Sequence, residues 1–532
     1  MDASASRRYK MVIKILMLVL FFGVMVGVGL YCRRRATDVN GFVLGGRSVG
    51  PWLTAFAYGT SYFSAVIFIG YAGQFGWKYG LASTWIGLGN AFIGCLLAWV
   101  ILGRRTRVMT QHLGSATMPE FFGQRFDSKG LKIGASIITF VFLIPYTASL
   151  YNGLSRLFEM AFGIDYVWCI IAMSVLTGIY VIAGGYMATA INDFIQGIIM
   201  LVGIVAVIAA VLGTHGGFMA ALGEMSRVSD DAVSTMPGVF NSFFGPDPLN
   251  LLGVVILTSL GTWGLPQMVQ KFYAIKSEES IKKGTIVSTF FAVVVAGGCY
   301  FLGGFGRIAG IETVADASGA LVPAEGYDAI IPSMLSTLPD LLIAVVVILV
   351  LSASMSTLSS LVIASSSTLT IDFLKDNFIK KMTEKKQVLL IRIFVVVFIA
   401  ISAVIAVFQV KSSNEAVKYI AQLMGVSWGA LAGSFLAPFL YGLYWKRTTK
   451  AACWASFIFG SVTMLANLFF RSSFPALLQS PINCGAFTML AGLIIVPVVS
   501  LITPKMNKEV VNAKFSCYDK KVEVSQKTSL TD

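Results

Sequence analysis

The chain of 532 residues is 56% hydrophobic and only 12% charged, with a mean hydropathy of +0.79. Soluble globular proteins carry about 25% charged residues, so this composition excludes a soluble enzyme, a disordered chain, a disulfide-stapled secreted domain and a protein held by one membrane anchor. The net charge of +14, from 40 Lys and Arg against 26 Asp and Glu, would point to nucleic acid in a soluble protein; in this one its place along the chain decides its meaning.

Apolar stretches of about 20 residues, the length that crosses a bilayer as a helix, recur from end to end. They predict thirteen spans: 12–31, 52–75, 81–103, 133–155, 166–184, 191–213, 249–269, 285–310, 336–369, 388–410, 417–445, 451–470 and 482–503. The first is followed by Arg33-Arg34-Arg35 and lacks a small-residue cleavage site, so it reads as a retained helix rather than a signal peptide. The fifth and sixth are divided by a turn at Gly184-Gly185. The ninth and eleventh exceed one straight crossing and call for tilt or a helical extension.

Positive charge gives the orientation. Of the 40 Lys and Arg, 28 lie in the connections after the odd-numbered spans and in the C-terminal tail, 11 on the opposite side, and Arg392 inside the tenth span. Because positive loops stay cytoplasmic, the N-terminus is expected outside and the C-terminus inside, in the cell membrane. Arg7, Arg8, Lys10 and Lys14 before the first span argue locally for the reverse and are outweighed.

The span interiors look nearly free of charge. Arg307 and Arg392 sit near span ends, where long side chains snorkel to water. Asp193 is the one carboxylate placed just inside a span. Seven scattered cysteines without a CxxC pair offer neither a metal cluster nor a disulfide framework. Proton-driven pumps need titratable groups within the membrane, so an ion coupled to this protein is expected on neutral oxygens.

Such oxygens are densest in the ninth span, Leu351-Ser-Ala-Ser-Met-Ser-Thr-Leu-Ser-Ser360. Ser352, Ser356 and Ser359 or Ser360 share one helical face, with Thr357 beside them. Hydroxyls in this pattern either bond back to the carbonyl one turn earlier and ease helix packing, or present oxygens to a cation; spacing alone fits both. Irregular backbone at membrane depth lines a cavity or is buried in protein, and transporters built from inverted repeats place such breaks at matching points of their two halves. The second span carries Ala57-Tyr-Gly-Thr-Ser-Tyr-Phe-Ser64, with Gly59 among small polar residues. The seventh carries Leu260-Gly-Thr-Trp-Gly-Leu-Pro266. Lying five spans apart, they predict two five-helix repeats, spans two to six and seven to eleven.

Several motifs carry a resemblance to the sodium:solute symporter family, nearest its bacterial sodium/proline branch. They are Phe42-Val-Leu-Gly-Gly-Arg-Ser-Val-Gly-Pro-Trp52, Met118-Pro-Glu-Phe-Phe122 with Arg125-Phe126, and Ser155-Arg-Leu-Phe-Glu159. The set Gly184, Gly185, Ala188, Asp193 and Gln196 joins them, with Met355-Ser-Thr-Leu-Ser359 and the run from Trp445 to Thr449. The resemblance implies an all-α polytopic membrane protein of about thirteen transmembrane helices with a leucine-transporter-type 5+5 inverted repeat. It divides the chain into an N-terminal helix outside the core (1–32), two five-helix repeats (51–213 and 249–445), two C-terminal helices (446–503) and a cytoplasmic tail (504–532).

It further implies a sodium site made by the carbonyls of Thr60, Phe63 and Ala353 and the hydroxyls of Ser356 and Thr357. Ser64 and Asp193 match positions near sodium's binding and exit route. For the solute site, Tyr146 matches a lining tyrosine and Pro266 is retained, whereas Thr258 and Thr262 replace a tryptophan and a tyrosine, with Trp263 displaced by one. Tyr62 and Val66 stand where the proline branch has an aspartate and a tryptophan, and Ile67 and Ser259 replace polar side chains of the sugar-transporting branch. The expected protein is a sodium-coupled symporter importing a small organic solute, such as an amino acid like proline, a carboxylate or a vitamin. Its partners are the solute, the sodium ion and the lipid bilayer, with no nucleic acid. A transporter-like sensor or a passive channel is the alternative. The sensor calls for a long output domain where about 29 residues follow position 503, and the channel for filter-like rings. No metal-ligand cluster, nucleophile elbow or phosphate loop points to an enzyme.

Overall fold

The computed structural model describes residues 3–33, 37–375, 378–379, 382–410 and 419–519. Arg34, Arg35, Lys380, Lys381 and the end of the tail lie outside them, as do the side chains of Tyr62, Arg7, Arg8, Lys10 and Lys14.

Helices dominate, and local signals start and stop them. Helix α1 (Ala3–Cys32) is followed by α2 (Pro51–Tyr62), whose first residue is a proline after the extended Gly50, the position where a missing N–H costs nothing. Helical segments with π-helical turns then cover Val66–His112, broken at Gly80, whose φ of 59° and ψ of −140° are non-helical. Helix α3 (Met118–Phe126) is capped by Thr117, whose hydroxyl accepts from the Glu120 N–H at 3.2 Å, while Glu120 reaches back to the Ala116 N–H at 2.8 Å. This reciprocal arrangement is a capping-box variant. Ser128 caps α4 (Lys129–Phe162). Helix α5 (Tyr166–Thr214) turns at Gly185, with φ 56° and ψ −152°. That conformation strains any L residue, and a Cβ there would also lie 2.8 Å from the Phe42 carbonyl oxygen. The expected division between the fifth and sixth spans thus falls at a sharp non-helical kink at Gly185, where two helices meet.

The second half follows with α6 (Pro248–Gly264), α7 (Pro266–Ala274), α8 (Glu278–Ala292), α9 (Asp340–Ser367), α10 (Glu384–Val410), α11 (Ile420–Tyr444), α12 (Lys450–Phe469) and α13 (Pro481–Ile502). A small antiparallel hairpin, β1 (Thr313–Ala315) with β2 (Leu321–Pro323), lies between α8 and α9. Among the described residues ten helices are long and apolar enough to cross a membrane, or eleven when α6 and α7, bent by 47° at their junction, form one span. The number falls below thirteen for visible reasons. Val66–His112 runs through parts of two expected spans, α2 has only 12 residues, and Tyr166–Ile179 is short.

Burial sorts the helices. In the most apolar stretch of α11, 94% of residues are buried, against 78% in α9 and 22% in α1. So α9 and α11 form the centre, and α1 lies at the periphery. Val19, Leu20, Val202, Phe290 and Ile494 point outward, as apolar side chains facing lipid do. Where Ala72–Tyr79 passes Gly298–Gly303 the backbones touch: a Cβ on Gly76 would overlap the Gly303 carbonyl, and one on Gly303 the carbonyl of Ala72.

Two expectations about charge are corrected. The seventh span does not stop at 269: its second half, α7, reaches Ala274, so Lys271, counted above with the loop lysines, is 1% exposed inside the bundle. Arg307 does not snorkel; its Nη1 pairs with Asp230 Oδ2 at 3.0 Å and its Nε donates to the Trp77 carbonyl at 2.8 Å. Span ends also hold a buried cluster in which Lys132 Nζ lies 3.4 Å from Asp372 and 3.6 Å from Glu120, and Thr117 donates to Asp372 at 2.5 Å.

Candidate functional site

The first break lies at Phe63–Ser64. Helix α2 ends where Phe63 turns to φ −90° and ψ 119°, its N–H still donating to the Gly59 carbonyl at 3.1 Å. The break is therefore four residues beyond Gly59. Helix α9 crosses here. Ser356 Oγ donates to the Thr60 carbonyl at 2.9 Å, and Thr357 Oγ1 contacts the Thr60 and Phe63 carbonyls at 3.2 and 3.4 Å. Both hydroxyls also reach the Ala353 carbonyl, at 3.0 and 3.1 Å. The five expected oxygens thus meet in one cluster, and all five residues are at most 1% exposed. The two possible roles of these hydroxyls coexist: they bond back along α9 and also face the break. Ser354, unremarked in the sequence, accepts from the Ala65 N–H at 3.3 Å. Neutral oxygens of this kind suit a hard monovalent cation, which they replace water around and still release.

The second break lies at Leu265, with φ −82° and ψ 121°, just before Pro266. Its polar side chains are mostly engaged. Thr258 Oγ1 donates to Val254 at 2.8 Å, within its own helix. Thr262 Oγ1 reaches the Gly94 carbonyl at 3.0 Å and Trp263 Nε1 the Ile93 carbonyl at 3.0 Å, fastening α6 to the third span. Tyr146 stands at the first break: its hydroxyl lies toward Ser64 and Trp428, and its ring meets Trp428 edge-on at 5.8 Å. Ser64 is fully buried. Gln267, one residue after Pro266, is 1% exposed with neither end of its amide hydrogen-bonded. The sequence could have revealed it as a polar side chain following the proline of a broken span.

A charged layer adjoins the cluster. Lys271 Nζ donates to Ser360 Oγ at 2.9 Å and lies 3.7 Å from Asp193 Oδ2. The C-terminal end of α7 is fixed by the Gly45-Gly46-Arg47 turn, with φ values of 58°, 68° and 54°. From it Arg47 Nη1 donates to the Tyr273 carbonyl at 3.1 Å and Nη2 to that of Ser115 at 2.6 Å. At the opposite end of the bundle a cavity of about 460 Å³ is lined by Gln74, Lys78, Asp247, Asn250, Val254 and Gln422. That is a volume typical of small-ligand sites.

Two broken helices meeting a hydroxyl-rich helix at the centre of a polytopic bundle define a secondary transporter. The sodium:solute symporter family model matches residues 42–460; the chain belongs to this family, a sodium-coupled symporter rather than an enzyme. It is 28% identical to the sodium/proline symporter of Staphylococcus aureus strain JH9 over 505 residues, 93% of each chain, and the protein of strain N315 matches equally. The solved structure of a Na+-coupled sialic acid symporter in a substrate-bound outward-open state superposes with a TM-score of 0.72 at 17% identity, covering 93% of this chain and 98% of that one. The shared architecture is the leucine-transporter-type fold, and sodium is the coupling ion.

Proposed function

We propose that the protein imports a small organic solute, an amino acid such as proline or a carboxylate, across the cell membrane by alternating access. Sodium is held by the carbonyls of Thr60, Phe63 and Ala353 and the hydroxyls of Ser356 and Thr357. The observation that carries this reading is the convergence of those five oxygens where α2 breaks against α9. The likeness to the sodium/proline symporter supports an amino acid as solute. The solute sits between the two breaks, with the Tyr146 hydroxyl and the unpartnered Gln267 amide as polar contacts, and reaches them from the Gln74-lined cavity. The two repeats at 51–213 and 249–445 rock around this point, with the N-terminus outside. Sodium leaves inward past Ser64 and Asp193.

The driving force is adequate. One charge moving through 100 mV supplies about 2.3 kcal/mol, and a tenfold sodium gradient about 1.4 kcal/mol more. Together they sustain several-hundred-fold accumulation for one sodium.

A thermal-shift screen of amino acids, carboxylates and vitamins identifies the solute as the compound that stabilises the protein only when sodium is present. That compound then accumulates in proteoliposomes under an inward sodium gradient. In Ser356→Ala/Thr357→Ala the sodium needed for uptake rises; unchanged sodium dependence in well-inserted protein overturns the ion site. Solute flow that never exceeds equilibrium overturns active uptake.

A further inference from the structure

The Asp193–Lys271 pair is a charged feature that a site of neutral oxygens does not require. Both residues are buried, at 0% and 1% exposure. Asp193 receives no hydrogen bond on either carboxylate oxygen, and Lys271 Nζ at 3.7 Å is its partner. The ammonium is itself held by Ser360 Oγ at 2.9 Å and lies 5.0 Å from the centre of the Tyr186 ring. Ser360 Oγ lies 2.8 Å from Ser61 Oγ and 3.1 Å from the Ser356 carbonyl. A continuous chain therefore runs from the α5 carboxylate through the α7 ammonium to α2 and α9. It ends on Ser356, whose hydroxyl belongs to the sodium cluster.

We propose that Asp193 acts on sodium as the counter-ion of Lys271, and that Lys271 is a positioning residue whose charge sets the potential at the sodium site; this rests on the five-oxygen site above. An ammonium two hydrogen bonds from a cation site repels the ion, and in a low-dielectric interior that repulsion is felt over such distances. Paired with Asp193 the layer is neutral, and sodium meets only the oxygen cluster. Removing either partner leaves a buried uncompensated charge, of opposite sign in the two cases. The two single variants therefore push sodium affinity in opposite directions, which loss of packing does not do.

The test uses the purified full-length protein, titrated with sodium chloride against choline chloride at constant ionic strength and read as melting temperature. Asp193→Asn raises the half-saturating sodium concentration about tenfold, equivalent to about 1.4 kcal/mol. Lys271→Met lowers it by a similar factor, and the double variant returns to within about threefold of the parent. Lys271→Arg, which keeps the charge, stays near the parent. If both single variants weaken sodium, or if the double variant is as weak as Asp193→Asn, the proposal is overturned; the latter result would make Asp193 a direct ligand. Each single variant is decisive by the sign of its shift, so a variant that does not fold leaves the other to decide. Ser356→Ala/Thr357→Ala serves as reference. If sodium still stabilises that variant as it does the parent, the site itself is wrong; if the response is lost while the charge variants shift alike, only the pairing fails.

Discussion

The two breaks occupy matching places in the two repeats and are chemically unlike. At Phe63 the interrupted helix turns acceptors inward, and the residues facing them are hydroxyls of α9. At Leu265 the flanking donors are already committed to carbonyls of the third span through Thr262 and Trp263, leaving the Gln267 amide without partners. Quasi-symmetry fixes where the backbone opens; side chains decide what the opening holds. One break gathers neutral oxygens, the other is clamped to its neighbour and leaves one amide without a partner.

The largest expected effect falls on the first break. Ser356→Ala/Thr357→Ala removes two oxygens from a dry site and raises half-saturating sodium by about a hundredfold, since each lost charge-assisted contact is worth about 1.5 kcal/mol; sodium-dependent uptake reads it. Gln267→Leu sharpens the contrast. It weakens the solute identified by thermal shift by about tenfold, the worth of one hydrogen bond, and leaves half-saturating sodium without solute within about twofold. A sodium shift as large as the solute shift would erase the division of labour. Thr262→Val cuts the clamp to Gly94 and costs about 1 kcal/mol of stability, seen as a lower melting temperature with both ligand affinities retained.

The smallest effect lies away from both breaks. Asp328, in the connection before α9, accepts from the Ile420 N–H at 3.1 Å at the start of α11. Burial raises its carboxyl from the usual 3.8 to about 6. The folded protein thus holds this proton more tightly than the unfolded chain. The contribution is complete below the ordinary carboxylate value and lost as pH rises through about 6. Melting temperature should fall slightly from pH 5 to 7, and Asp328→Asn should flatten that slope.

The meeting of the five oxygens was legible in the sequence because hydroxyls crowd one face of the ninth span and recur within a family motif. Pro266 marked the second break nearly to the residue, since a proline cannot continue the hydrogen-bond ladder behind it. The first break falls within the expected stretch 57–64, at its end: a glycine permits interruption without requiring it, and α2 continues past Gly59 until Phe63. Lys271 was lost for a different reason. A charge ends an apolar window, and what makes it tolerable inside the bundle is Asp193 on another helix, a pairing no local pattern announces. The number of spans depends on where such runs are divided: α2 is short, and Val66–His112 passes through the non-helical Gly80 turn between the second and third expected spans.

The bare backbone contact at Gly76 and Gly303 leaves no room for a side chain between the part of the second span beyond its break and the eighth span. A residue larger than glycine at either position is expected to push the two segments apart and lower the melting temperature. Relative motion of the helices is expected instead at Phe63 and Leu265, where the helical hydrogen bonding is already interrupted.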